Sequence, residues 1–376
     1  MAGIYLHIPF CRQACHYCNF HFTTSLRYKP ELVEALVQEA TLRATYLEGA
    51  PVETVYFGGG TPSLLTEGEL NTILEALRRH YPVAADAEIT LEANPDDIDP
   101  ARLAAWKGAG INRLSIGVQS FFEEELRWMN RAHTAAHARG CIEQSLAAGF
   151  TNMTIDLIYG SPLLSDEGWK ENVDIATGYG IPHLSCYALT VEERTPLHKQ
   201  IGRNEKVDVD NDKQARQFVL LMQWLKERGY EHYEVSNFAK PGHRSRHNSA
   251  YWKGLPYLGL GPSAHSYNGR ERSWNIANNN TYIRALSEGS LPAEAETLTR
   301  SQRLNEYLMI ALRTQEGIDL ERVRSEATPA DIRAIEARFF VFLREGLVRQ
   351  TEAGFALTDE GMLRADGLAA ELFVSS

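Results

Sequence analysis

With 376 residues, 44% of them hydrophobic, the chain is long enough for a large packed core, and its apolar content is too high for a disordered segment. A formal net charge of -11 argues against nonspecific nucleic-acid binding, and no apolar run reaches the roughly 18 residues that a bilayer span requires. The amino end has no basic region ahead of its apolar stretch, so no export signal is expected, and a cytoplasmic chain with at most peripheral membrane contact is indicated.

The first predicted element is a strand over Ile4–Ile8, which runs into Cys11, Cys15 and Cys18. A Cys-x3-Cys-x2-Cys loop at the end of a strand suits a 4Fe-4S cluster that has only three protein ligands. One iron then keeps an open position, which makes the cluster a reaction centre. Zinc held by the thiols with His16 or His21 is the competing reading. Cys141 and Cys186 lie in helix-like and strand-like apolar surroundings and read as core, so a disulfide framework is disfavoured.

Further strands are expected over Val52–Phe57, Glu88–Ala93, Arg113–Val118, Met153–Tyr159 and His183–Leu189. Helices are expected over Glu31–Leu47, Glu67–Arg79, Pro100–Gly108, Ala135–Ala147, Gly168–Thr177 and Asp212–Arg228. Six strand-helix units predict an α/β fold, a partial (β/α)6 barrel with parallel strands and helices outside. Such a barrel gathers its chemistry at the carboxyl ends of the strands. There the sequence places the Gly58-Gly59-Gly60-Thr61-Pro62 turn, then Glu92, Gln119 and Asp156, with Arg131 in a connection. Taken singly, each reads equally well as a cap or surface residue. Jointly they look like the wall of one pocket, and the absence of a Lys-Ser/Thr pair disfavours a phosphate loop.

On these residues the chain resembles the radical S-adenosylmethionine superfamily, and within it the group of oxygen-independent coproporphyrinogen III dehydrogenase, from Tyr5 through Ser266 and more weakly to the carboxyl end. The resemblance implies that Cys11, Cys15 and Cys18 hold the 4Fe-4S cluster, that Tyr5 lies near the methionine end of S-adenosylmethionine, and that Gly59, Gly60 and Thr61 receive its amino group. It further implies that Glu92, Gln119, Arg131 and Asp156 make the remaining cofactor contacts, with Tyr17 and Tyr187–Leu189 framing the adenine. The chemistry agrees, since carboxylates accept from ribose hydroxyls while Arg and Gln pair with a carboxylate or ribose. Two departures count against porphyrinogen decarboxylation. The dehydrogenase branch carries a cysteine two positions after its third ligand, where this chain has Phe20, and it has an N-terminal extension, whereas four residues precede Tyr5 here. Cys18-Asn19-Phe20 is similar instead to the HemW branch, whose members are haem chaperones.

His247-Asn248-Ser249-Ala250-Tyr251-Trp252 matches the His-Asn-x-x-Tyr-Trp signature that this branch is thought to use for haem. Neutral imidazole is a good axial ligand and the aromatic pair could stack on a macrocycle. Alternatively, His247 and Asn248 fix a turn while Tyr251 and Trp252 enter the core. His243 stands by as a substitute ligand, and His265 is expected beside the adenosyl site. Asn275–Asn280 and Ser287–Arg300 read as loops. Helices over Arg303–Thr314, Asp319–Glu326 and Pro329–Glu345, followed by a hairpin around Glu352–Gly354, resemble a winged helix; Leu320–Glu326 lacks the basic face that phosphate contact requires, which suits a cover or docking face better than DNA. The expected units are the radical S-adenosylmethionine barrel (1–235), a connecting segment with the signature (236–300) and the mainly helical, winged-helix-like domain (301–376).

Two functions follow from the resemblance. One is a haem chaperone that binds haem, the cluster and S-adenosylmethionine and delivers haem to recipient proteins, such as respiratory enzymes at the inner membrane face, with cluster-dependent homodimers. The other is a radical enzyme acting on a porphyrinogen.

Overall fold

The computed structural model describes residues 1–375, so Ser376, the last residue of the expected C-terminal unit, lies outside it. Strands β1 (Ala2–Ile8), β2 (Val52–Gly59), β3 (Val83–Ala93), β4 (Arg113–Gln119), β5 (Met153–Tyr159) and β6 (His183–Ala188) pair in parallel in chain order. This is the expected partial barrel of six units. Its strands alternate in two directions. Ile4, Leu6 and Ile8 of β1, with Val55 and Phe57 of β2, are fully buried in the core that the outer helices cover. The helix Glu67–His80 shows how that layer forms. A Thr66 capping box starts it, and Leu70, Ile73, Leu74 and Leu77, at i, i+3, i+4 and i+7, are buried. Each such side chain contributes about 1.5–3 kcal/mol. The opposite strand face carries Tyr56, Glu92, Ser115, Gln119, Asp156 and Ser185, so the barrel interior is polar.

The sheet extends past both ends of the barrel. β7 (Glu231–Glu234) and β8 (Asn237–Ala239) form a hairpin on β6, while β9 (Tyr257–Leu260) pairs in parallel with β1 and leads outward to β10 (His265–Tyr267), β11 (Glu271–Asn275) and β12 (Ala293–Thr297). Residues 236–300 therefore add strands to the sheet at both sides, and the expected boundary at 235 falls in the turn between β7 and β8.

Two expected loops are regular structure. Asn275 ends β11, Asn278 caps the helix Asn279–Ser287 by accepting from the Thr281 N–H, and that helix buries Tyr282 and Leu286. Within the second expected loop, β12 pairs antiparallel with β11. Asparagine marks helix caps as readily as turns, and the Ala-Glu-Ala-Glu-Thr pattern is that of a charged edge strand rather than a linker.

The C-terminal helices Arg300–Leu312, Leu320–Glu326 and Pro329–Arg344 pack with a small antiparallel sheet of β13 (Ile318–Asp319), β14 (Val348–Gln350) and β15 (Gly354–Leu357), the expected winged-helix-like arrangement. Its core is continuous with that of the barrel.

Candidate functional site

The loop after β1 is tied down on both flanks. The Cys11 N–H donates to Thr23 O (3.0 Å), the Thr23 N–H donates to Pro9 O (2.8 Å), and the Asn130 amide donates to Ala14 O (2.8 Å). Phe10, at 1% exposure, anchors its start. Cys11, Cys15 and Cys18 are free, half-buried and all face one cavity of about 810 Å3 at the carboxyl ends of the strands. The Thr61 hydroxyl donates to Cys11 Sγ (3.4 Å) and Arg131 Nη1 donates to Cys15 Sγ (3.2 Å). Burial pushes the Cys18 thiol up to about 11 and raises Cys11, so both stay protonated until a metal displaces the proton.

The zinc reading finds no histidine at the thiols: neither His16 nor His21 lines their cavity, His16 Nδ1 meeting Lys206 Nζ (2.8 Å) and His21 Nε2 meeting Asn279 Oδ1 (2.7 Å). Among the described residues, no three His, Cys, Asp or Glu side chains gather closely enough to grip a single ion. Three free thiols lining one large cavity suit a multi-iron cluster better than one tetrahedral ion.

Gly59, Gly60, Thr61, Glu92, Gln119, Arg131, Asp156 and Tyr17 line the same cavity as the thiols, as do Tyr187, Ala188 and Leu189. The turn after β2 admits no side chains. Gly59 has φ +106°, and a Cβ on Gly60 would lie 2.7 Å from Phe10 O. Glu92 accepts from the Tyr56 hydroxyl (2.8 Å) and the Gly59 N–H (3.2 Å), and burial lifts it to about 7. Asp156, which accepts from the Ser115 hydroxyl (3.3 Å), is lifted by burial to about 6. Gln119 ends β4 in the left-handed region at φ +66°, a conformation that costs a non-glycine residue about 1–2 kcal/mol. Arg131 Nη2 donates to Asn94 Oδ1 and to Gly117 O, both at 2.7 Å.

Tyr5 is not in the cavity wall. It lies inside the barrel against Tyr56, with its hydroxyl bonded to His7 Nδ1 (3.2 Å). His265 is likewise not in the cavity lining: it stands exposed on β10 beside Trp274, because the turn that precedes it passes the His7 backbone at Gly261 and carries the chain to the outer strands. Residues that sequence reasoning passed over include Asn94, which also donates to Thr61 Oγ1 (3.1 Å), and Phe218, Met362 and Arg364 at the cavity's far side. Asn94 stands two positions after Glu92, the spacing that keeps a residue on the same strand face. Nothing local marks the other three, which come from distant elements.

The signature segment forms the helix Arg246–Trp252, capped by Ser245, at the other end of the barrel. His247 is 2% exposed, and both ring nitrogens are engaged, Nδ1 with Thr54 Oγ1 (2.8 Å) and Nε2 with the Tyr251 hydroxyl (2.9 Å). Burial lowers its pKa to about 3, so it is neutral. Its ring stacks on Tyr56, at 5.0 Å between centroids. Asn248 faces a polar chamber of about 50 Å3 shared with Tyr56, Glu92 and Asp156. Trp252 is half-buried in the wall of a separate cavity, and His243 is exposed in the preceding turn.

The Radical SAM superfamily profile matches residues 5–176 and the HemN C-terminal domain profile matches 298–364. The heme chaperone HemW of Mycobacterium tuberculosis is 37% identical over 375 residues, covering 98% of this chain and 94% of that protein; the one of Bacillus subtilis is 30% identical, covering 96% and 97%. The chain belongs to the HemW family. Coproporphyrinogen III oxidase (HemN) of Escherichia coli superposes with a TM-score of 0.85 at 24% identity, covering 99% of this chain and 90% of that one, which establishes a shared fold. HemW-type membership thus joins a thiol-lined cavity at one end of the barrel to a His-Asn-x-x-Tyr-Trp helix at the other.

Proposed function

We propose that the chain is a haem chaperone that carries a 4Fe-4S cluster on Cys11, Cys15 and Cys18, takes S-adenosylmethionine in the 810 Å3 cavity and delivers haem to recipient haem proteins. Near full-length identity to named haem chaperones carries the reading. The donor set fits the cofactors: three free thiols, a glycine turn open to close approach, and carboxylates beside amide and guanidinium groups.

When bound, the cluster would take up one electron and would offer S-adenosylmethionine the iron that no protein thiol ligates. The chain's own residues position them. Thr61 and Arg131 orient the Cys11 and Cys15 sulfurs. The Gly59–Gly60 backbone receives an amino group, Glu92 and Asp156 accept from hydroxyls, and Gln119 and Arg131 donate to a carboxylate or ribose. Tyr17 and Tyr187–Leu189 flank the base. Tyr5 acts from behind, through Tyr56. For haem, Tyr251 and Trp252 supply aromatic surface, Asn248 ties the helix to the chamber, and His247 would serve as an iron ligand if its Nε2 left the Tyr251 hydroxyl. Recipients at the inner membrane face, a cytoplasmic setting and cluster-dependent dimers complete the reading; among the described residues no helix is long and apolar enough to cross a membrane.

The intact cavity lining also suits a radical enzyme acting on a porphyrinogen, and one experiment separates the two. Anaerobic titration of the cluster-loaded chain with haem should give a stoichiometric Soret band that is lost or shifted in His247→Ala, with no decarboxylation of coproporphyrinogen III. Decarboxylated product without haem binding would overturn the proposal.

A further inference from the structure

The second large cavity, about 540 Å3, lies at the amino ends of the strands, between the barrel, the Arg246–Trp252 helix and the C-terminal domain. Its volume is in the usual range for sites that bury a small organic ligand, roughly 300–1,000 Å3. The walls are amphipathic. Trp252, Ala250, Leu255, Tyr307 and Ala311 give apolar surface, and four cations stand among them, Arg244, Arg246, Lys253 and Arg322. The two carboxylates of the wall are already neutralised, Glu316 by Arg244 (2.6 Å) and Glu53 by Arg246 (3.3 Å). Arg322 and Lys253 have no carboxylate partner among the described residues. Arg322 is nonetheless held in place, with its guanidinium 4.1 Å from the Tyr307 ring centroid and Nη1 donating to Lys253 O (3.3 Å). An amphipathic cavity with two exposed, unpaired cations in its wall is complementary to an apolar dianion.

Resting on the haem-chaperone reading, we infer that this cavity receives the porphyrin, with the macrocycle against Trp252 and Tyr307 and the propionates on Arg322 and Lys253; His247 and Tyr251 do not line it, so the iron would meet His247 only on a shift of the Arg246–Trp252 helix. The position has a consequence for the chemistry. Thr54 lines this cavity and Gly59 lines the thiol cavity, and both belong to β2. Five residues of strand span about 17 Å. The side chains of Glu92, Tyr56 and His247 stand in the interval between the two cavities. Haem is therefore carried here as cargo, chemically separate from the adenosyl site, although His247 and Tyr56 link the two ends.

The test is a haem titration of the full chain with its cluster reconstituted, read at the Soret band, in wild type, Arg322→Gln/Lys253→Gln and Ala250→Trp, with cluster absorbance and S-adenosylmethionine binding as folding controls. Losing two charge-assisted hydrogen bonds should weaken haem binding at least about tenfold, and haem dimethyl ester should bind the wild type as weakly as haem binds the double variant. Ala250→Trp, which fills the cavity without touching charge, should exclude haem. Both variants should keep wild-type cluster content and cofactor affinity. If wild type binds haem and both variants bind it equally well, the cavity assignment is wrong while the chaperone reading stands. If wild type binds no haem, the chaperone reading itself fails.

Discussion

Glu92 has two partners in the structure, both neutral donors, the Tyr56 hydroxyl and the Gly59 N–H. Burial therefore decides its titration, and the folded value of about 7 lies above the ordinary 4.5; Asp156 moves the same way, from 3.8 to about 6. The folded chain thus retains protons that the unfolded chain has released, so stability is fully present below the ordinary values and is lost as pH rises through the folded ones. We expect the urea midpoint of the cofactor-free chain to fall between about pH 4 and pH 7, and Glu92→Gln to flatten that fall. An identical slope in the variant would show that Glu92 is not the buried proton carrier. At this scale the sequence was informative where chemistry is unusual: three cysteines in one loop, and a Glu, a Gln and an Asp on the inner face of successive strands, the first two at strand ends and the Asp at the middle of β5. It was silent on Tyr56 and Phe218, because an aromatic residue in a strand or helix pattern looks the same whether it faces core or cavity.

Among the elements, the turn that ends β2 bears most on the site. Its Gly59 has φ +106°, and a Cβ there would sit 2.7 Å from the His7 ring, while one on Gly60 would meet the backbone oxygens of Phe10 (2.7 Å) and Ile8 (2.9 Å). Since the Ile8–Phe10 segment leads into Cys11, Gly60→Ala should push the thiol loop away from Thr61. The expected result is a loss of stability of about 1–3 kcal/mol with at least half of the cluster iron lost after reconstitution. Full iron content in a variant of unchanged stability would contradict the close packing described. The six parallel strands and their covering helices were legible because period-two and period-3.6 patterns persist over whole elements. β3 starts at Val83 rather than Glu88, and β7 to β12 were missed: they are short, and β12 is an exposed, charged edge. Asn275–Asn280 misled in the opposite sense, because Asn278 is a helix cap.

In the whole molecule, the polar barrel interior joins two cavities. From the thiol end, Glu92 bonds Tyr56, Tyr56 stacks on His247, and His247 bonds Tyr251 beside Trp252. The C-terminal domain reaches both ends: Met362–Gly367 line the thiol cavity, and Tyr307 to Arg322 line the other. The lack of a basic face on Leu320–Glu326 suggests a cover for the barrel, and the domain does contribute to the lining of the thiol cavity. What no local pattern could convey is that the signature helix sits at the end opposite the cysteines, because that placement depends on β9 pairing with β1 across more than two hundred residues of chain.

The proposed chemistry depends on three protein thiols leaving one iron free for S-adenosylmethionine. Electron paramagnetic resonance of the anaerobically reconstituted, reduced chain, with and without S-adenosylmethionine, tests that directly. The expected result is a cluster signal whose g-values shift when S-adenosylmethionine is added, and no such signal in Cys15→Ala. A signal unchanged by S-adenosylmethionine, or retained in the variant, would contradict it.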